Sequence, residues 1–300
     1  MVSQPRSQER KALDATALSV MLLLTALWGF QQVTVKVIAP EVSLLMQAAI
    51  RSAAATALVL GWSAYRGIPL FGRDGTLAAG IAAGLLFGAE FAFIYAGLGY
   101  TNASRMTVFI YLAPPLTALG LHFFLPSERL APLQWAGIGV AFSGLVLAFS
   151  EGFSANGTTW IGDLFGVIAA LLWAATTVLI RATRLASAPP AKTLFYQLAV
   201  SAVFLLASSL LTGEKGITAV TPLVIASLAY QGVIVAFASY LAWFWLLTRY
   251  LAARLSVLSF LTPLFGVVSG VVFLGESITA RFVLAALLIG AGIVLVNLRK

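Results

Sequence analysis

A chain of 300 residues that is 61% hydrophobic and only 9% charged, with a mean hydropathy of +0.99, has too few polar groups to cover a water-soluble globule, where about 25% of residues are charged. Its net charge of +8 comes from basic residues at the ends of apolar runs rather than from a stripe or patch, which argues against nucleic acid as a partner. With no cysteine and a single histidine, the chain has no disulfide, no thiolate metal site and no cysteine nucleophile, and neither a metal nor a cofactor is expected.

Arg6, Arg10 and Lys11 precede the first apolar run as they would in a signal peptide. That run, 16–36, is longer than a signal h-region and carries Gln31 and Gln32, so it reads as a retained helix. Breaks in hydropathy then mark runs at 43–64, 76–98, 103–125 and 131–150, followed by 161–181, 193–212, 222–247, 254–274 and 280–298. At about 20 residues apiece these match helices crossing a bilayer, and they are too long and too uniformly apolar for barrel strands. The expected fold is an all-α membrane protein of ten transmembrane helices bathed in membrane lipid. With the N-terminus inside, 13 of the 18 Lys and Arg residues fall in inner segments and 4 in outer ones, with Arg51 inside a span. Both termini are therefore expected to be cytoplasmic.

The chain repeats itself. Ala103, Arg105, Val108, Leu112 and Pro114 recur 149 positions later as Ala252, Arg254, Val257, Leu261 and Pro263. Glu128, Gly144, Val146 and Leu147 recur 148 positions later as Glu276, Gly292, Val294 and Leu295, and Trp28 recurs 145 positions later as Trp173. Two repeats are expected, 1–152 and 153–300, each with five helices. An odd number of crossings starts the second copy on the opposite side, so the repeats are inverted, an architecture of secondary transporters with a central cavity between the halves.

Two ionisable residues lie deep in apolar runs, Arg51 in the second and Glu90 in the third. Each is eight residues from the outer end of its run, roughly 12 Å deep at about 1.5 Å per residue. The matching depth suggests a structural ion pair. Glu90 has two further readings, as a proton-coupling group or as a cavity residue holding a substrate ammonium. Thr25, Trp28 and Gln32 share one face of the first helix, and Trp173 and Thr177 repeat the pattern in the sixth. These faces either line a cavity or hydrogen-bond between helices. Tyr111, Tyr240 and Trp243 fall deeper than an interfacial aromatic belt requires, which suits a stacking surface for an aromatic or apolar substrate, whereas Trp245 belongs to the belt. Pro114, Pro115 and Pro263 fall near the middle of their runs, as hinges or as static bends. Gly80, Gly84 and Gly88, with Gly266 and Gly270, are spaced for close helix packing. His122 reads as an interface residue, and Asp163, at the start of the sixth run, as a partner of the helix dipole with no further role.

A Trp in the first helix of each half, a Pro in the fourth, and a Glu about 13 residues after it, set in duplicated fives, resemble the EamA family of the drug/metabolite transporter superfamily over nearly the whole chain. The stretch GLLFGAEFAFIYAGLGYT from Gly84 to Thr101, with Trp173, Ala174 and Ala175, is similar more narrowly to the YddG-type exporters of aromatic and other amino acids. The resemblance implies export of small metabolites, chiefly amino acids, from the bacterial cytoplasm across the inner membrane by alternating access. The working unit is expected to be a monomer. Competing readings are a passive membrane scaffold or sensor, which needs no polar faces repeated at one depth, and an intramembrane enzyme. Catalysis lacks a second deep acid, a GxSxG elbow and an HExxH pair, and there is no P-loop for ATP-driven pumping.

Overall fold

The computed structural model describes residues 14–72, 74–124, 129–154, 157–250, 255, 258, 259 and 261–297. Arg6, Arg10, Lys11, Arg73, Glu128, Ala252, Arg254, Val257, Arg299 and Lys300 lie outside the described residues. Each apolar run forms a helix because a backbone surrounded by lipid must satisfy its polar groups within itself. They are α1 (Ala15–Val37), α2 (Leu44–Tyr65), α3 (Leu77–Gly97), α4 (Ala103–Ile110), α5 (Ala113–Phe124), α6 (Pro132–Ser154) and α7 (Thr159–Ala182). There follow α8 (Pro190–Leu211), α9 (Pro222–Ala229), a π-helical segment (Tyr230–Ser239), α10 (Tyr240–Arg249), α11 (Leu261–Leu274) and α12 (Ala280–Asn297). Among the described residues, seven helical runs are long and apolar enough to cross a membrane, while α6, α11 and α12 contribute shorter apolar stretches.

The fourth run is broken rather than kinked. α4 ends at Ile110, Tyr111 and Leu112 form a turn, and α5 begins at Ala113. Pro114 and Pro115 stand four residues beyond Ile110 and Tyr111, whose carbonyls their rings displace, and they occupy the first turn of α5, where a missing N–H costs little. Pro263 lies in α11. The eighth run changes winding in the middle: its ten-residue π segment is a feature that hydropathy could not reveal.

Helix starts are held by acids, one local and two from elsewhere in the chain. Asp14 Oδ1 accepts from Ala17 N at 2.9 Å to cap α1. The Glu214 carboxylate accepts from Leu45 N at 3.0 Å and Met46 N at 3.1 Å at the start of α2. Glu276 accepts from Ala103 N at 2.7 Å, from Ser104 N at 3.0 Å and from Ser104 Oγ at 2.5 Å at the start of α4. Both satisfy free N–H groups at the positive end of a helix. Beside Glu214, the loops before α2 and before α9 pair through Val42 and Ile217.

α1 packs on α11, α2 on α8, α3 on both α7 and α8, α4 on α11, α5 on α7 and α6 on α12, while the π segment contacts α1 and α2. This set maps onto itself when each of the first five runs is exchanged with the run five places later. Glycines allow the closest approaches, as their spacing anticipates. A Cβ on Gly84 would lie 2.6 Å from the Tyr196 carbonyl oxygen on α8, and one on Gly266 would lie 2.5 Å from Thr107 Cγ2 on α4.

Asp163 has more to do than complement a helix dipole, which corrects the sequence reading. It is fully buried. It accepts from Arg105 Nε at 3.0 Å, from Arg105 Nη2 at 2.5 Å and from Thr101 Oγ1 at 2.9 Å. Arg105 also donates to the Ala148 carbonyl at 2.8 Å and lies 3.8 Å from Glu151. One guanidinium thus ties α4, α6 and α7 together.

Candidate functional site

The deepest polar residues that come near one another are Arg51 of α2, Glu90 of α3 and Tyr240 of the eighth run. Arg51 is the eighth residue of α2 and Glu90 the eighth from the end of α3, each about 11 Å along its helix at about 1.5 Å per residue. Both are buried, Arg51 completely and Glu90 with 5% exposed. They do not form the direct ion pair expected from their matching depth. The guanidinium carbon of Arg51 lies 4.0 Å from the centre of the Phe91 ring, and its Nε, Nη1 and Nη2 have no hydrogen-bond partner. Glu90 Oε2 has none either. The two charges remain within electrostatic reach of each other, and Tyr240 lies near both. The Tyr240 hydroxyl is beside the guanidinium in a geometry too loose for a hydrogen bond. The reason the pair stays open is directional: Phe91, next to Glu90 in sequence, presents its ring to Arg51, and a cation over an aromatic face is stabilised without a carboxylate.

The aromatic candidates form two groups. Trp28 Nε1 donates to Ser239 Oγ at 2.8 Å, and its ring meets Trp243 edge-on at 5.9 Å. Tyr111, buried in the turn after α4, meets Trp173 edge-on at 5.7 Å. Tyr240 and Trp173 both pack against the cluster that holds Phe87, Phe91 and Tyr95. Trp28 and Trp173 therefore belong to separate pairs, one joining α1 to the eighth run and one joining α7 to the fourth. Gln32 is buried with its Oε1 unpartnered. The hydroxyls of Thr25 and Thr177 turn back onto their own helices, donating to Met21 O at 2.9 Å and Trp173 O at 3.0 Å. His122 accepts from Leu130 N at 3.0 Å between the rings of Phe123 and Trp135.

Sequence reasoning passed over a further polar chain. Tyr95 Oη donates to Gln231 Oε1 at 2.8 Å, Gln231 Nε2 donates to Gln47 Oε1 at 3.3 Å, and Gln47 Nε2 donates to Val42 O at 2.9 Å. All three side chains are buried. Two glutamines deep in apolar runs were the available signal, since polar groups in lipid-facing helices turn inward. Two apolar grooves open elsewhere. One of about 330 Å³ is lined by Phe30, Tyr230, Phe265 and Phe273, and one of about 290 Å³ lies between α2 and α8. Neither is lined by Arg51 or Glu90. Among the described residues no three His, Asp or Glu side chains come together as a metal-binding set.

A multi-pass helical membrane protein with a buried, partly unpartnered polar centre is the class that this fold and site define. The EamA-like transporter family model matches residues 15–150 and again 160–298. The chain belongs to that family and is a membrane transporter rather than an enzyme. It is 28% identical over 279 residues to a Salmonella typhimurium protein named "Probable amino-acid metabolite efflux pump", covering 91% of each chain. An Escherichia coli protein of the same name is 26% identical with the same coverage. A chain in a solved crystal structure shares the fold, with a TM-score of 0.65 at 21% identity over 94% of this chain and 97% of that one.

Proposed function

We propose that the protein exports amino acids or closely related small metabolites from the bacterial cytoplasm by alternating access. In this reading residues 1–152 and 153–300 are inverted five-helix repeats making ten crossings, with both termini in the cytoplasm. The packing that maps onto itself under exchange of the halves supports the repeat. Substrate sits between them, against Trp28, Gln32, Glu90, Tyr111, Trp173, Thr177, Tyr240 and Trp243. The hinges are the turn before Pro114 and Pro115, where the interrupted helix can flex without breaking ladder hydrogen bonds, and Pro263 in α11. One observation carries the reading: Arg51 and Glu90 hold unpartnered polar atoms at matching distances along α2 and α3, near Phe91 from the first half and Tyr240 from the second. A purely structural core would pair or omit them, because unpartnered polar groups in a bilayer are expensive. The names of the bacterial relatives favour amino acids as the cargo.

Purified protein in liposomes tests this directly. A labelled aromatic amino acid should equilibrate faster than in empty vesicles, and Trp28→Ala or Trp173→Ala should slow it with expression unchanged. No flux of any amino acid, or full flux in both variants, overturns the reading. Because the chain has no cysteine, single cysteines placed in the loops before α3 and before α8 report topology. Both should be labelled from the cytoplasmic side.

A further inference from the structure

Arg51 is the least explained residue in the interior. A guanidinium cannot escape burial by losing its proton, and its N–H edges want acceptors in the plane of the fork. Phe91 covers one face of that plane at 4.0 Å but leaves every edge nitrogen unpartnered. Glu90 is within electrostatic reach and out of contact. The interior thus holds a fully buried planar cation and a buried carboxylate with a free oxygen, kept apart by their own packing. Direct contact would satisfy both groups more fully than the Phe91 face does, since an aromatic face supplies no acceptor to the N–H edges and no donor to the carboxylate.

We propose that Arg51 is the anchor for the substrate's carboxylate, with Glu90 receiving its ammonium, so that the transporter selects zwitterions bearing a free carboxylate. This rests on the central site being the transport site. A carboxylate offers two oxygens that match the guanidinium fork in a bidentate pair, which an amide, an ester or an amine cannot do. The Phe91 ring lies against the guanidinium at 4.0 Å, and Tyr240 stands near both charges. Substrate entry completes the pair that the protein leaves open, so the gain appears only on binding.

The test is competition for labelled phenylalanine in liposomes, using unlabelled phenylalanine, phenylalaninamide and phenethylamine. In the native protein the amide and the amine should compete about 10- to 100-fold more weakly than the free acid, the range expected when a charge-assisted hydrogen-bonded contact is lost. In Arg51→Gln that discrimination should collapse, in Arg51→Lys it should survive in part, and in Glu90→Gln the preference for the acid over the amide should persist. A merely structural Arg51 would lower stability without changing the ratio. Transport of phenylalanine with equal competition by the amide overturns the carboxylate anchor and leaves the transport reading standing. Absence of phenylalanine and every other amino-acid flux overturns both. Should Arg51→Gln fail to fold, the native competition series decides by itself.

Discussion

Removing the Asp163 carboxylate is the sharpest probe of how this bundle is held. Asp163→Ala deletes three hydrogen bonds at 2.5, 2.9 and 3.0 Å and leaves Arg105 buried against the Ala148 carbonyl at 2.8 Å. Breaking one side of a buried pair costs about 3–5 kcal/mol because the surviving charge keeps its desolvation cost. Glu151, at 3.8 Å and partly exposed, is the one acid left near the guanidinium among the described contacts, so the loss should fall at the lower end, about 3 kcal/mol. At about 2–4 °C per kcal/mol for a chain of this size, the melting temperature in detergent should drop by about 6–12 °C, followed by tryptophan fluorescence or circular dichroism. The double variant Arg105→Met with Asp163→Leu removes both charges and should recover much of the loss. A single variant that melts like the native protein, or a double variant that loses the sum of the two singles, would refute the argument.

Glu276→Gln weakens the cap on α4 and removes the negative charge at its start, for an expected loss of about 1–2 kcal/mol, read by the same melting experiment. Gly84→Leu should cost about 1–3 kcal/mol or more, because even its Cβ would meet the Tyr196 backbone, whereas Gly290→Ala, with open space around the new carbon, should stay within about 1 kcal/mol of the native protein. Asp74 lies in the loop before α3. Its carboxyl accepts from Lys192 Nζ at 2.7 Å and from Thr76 Oγ1 at 2.6 Å, which holds it below the ordinary carboxylate range. A lowered folded-state value means that this contribution is present above the unfolded value of about 4 and fades as pH falls toward the lowered one. Asp74→Asn should accordingly flatten the loss of stability below about pH 4, measured by melting across acid buffers.

The positions of the helices were legible in the chain because lipid imposes one rule on every crossing segment, and an apolar run of sufficient length announces it. Glycine spacing was legible for the same reason: Gly80, Gly84 and Gly88 form one stripe whatever they touch. The stripe did not say that the partner would be α8. The site was legible in part. Arg51, Glu90, Gln32 and the tryptophans stood out as costly or oversized groups in apolar surroundings. Their pairings were not, since Trp28 meets Trp243, Trp173 meets Tyr111, and Arg51 lies on Phe91 instead of contacting Glu90. Asp163 and Glu276 sit at helix ends, where an acid has an adequate local explanation, so nothing nearby in sequence pointed to Arg105 or to the start of α4.

Sequence alone determined that this is a helical membrane protein, where its helices run and which side chains are too polar to face lipid, because hydropathy and periodicity are local properties. Tertiary structure alone decided which polar groups meet and which are left without partners. Those outcomes depend on the directions in which side chains leave helices distant in the chain, and a one-dimensional pattern carries depth along a helix without the rotation about it.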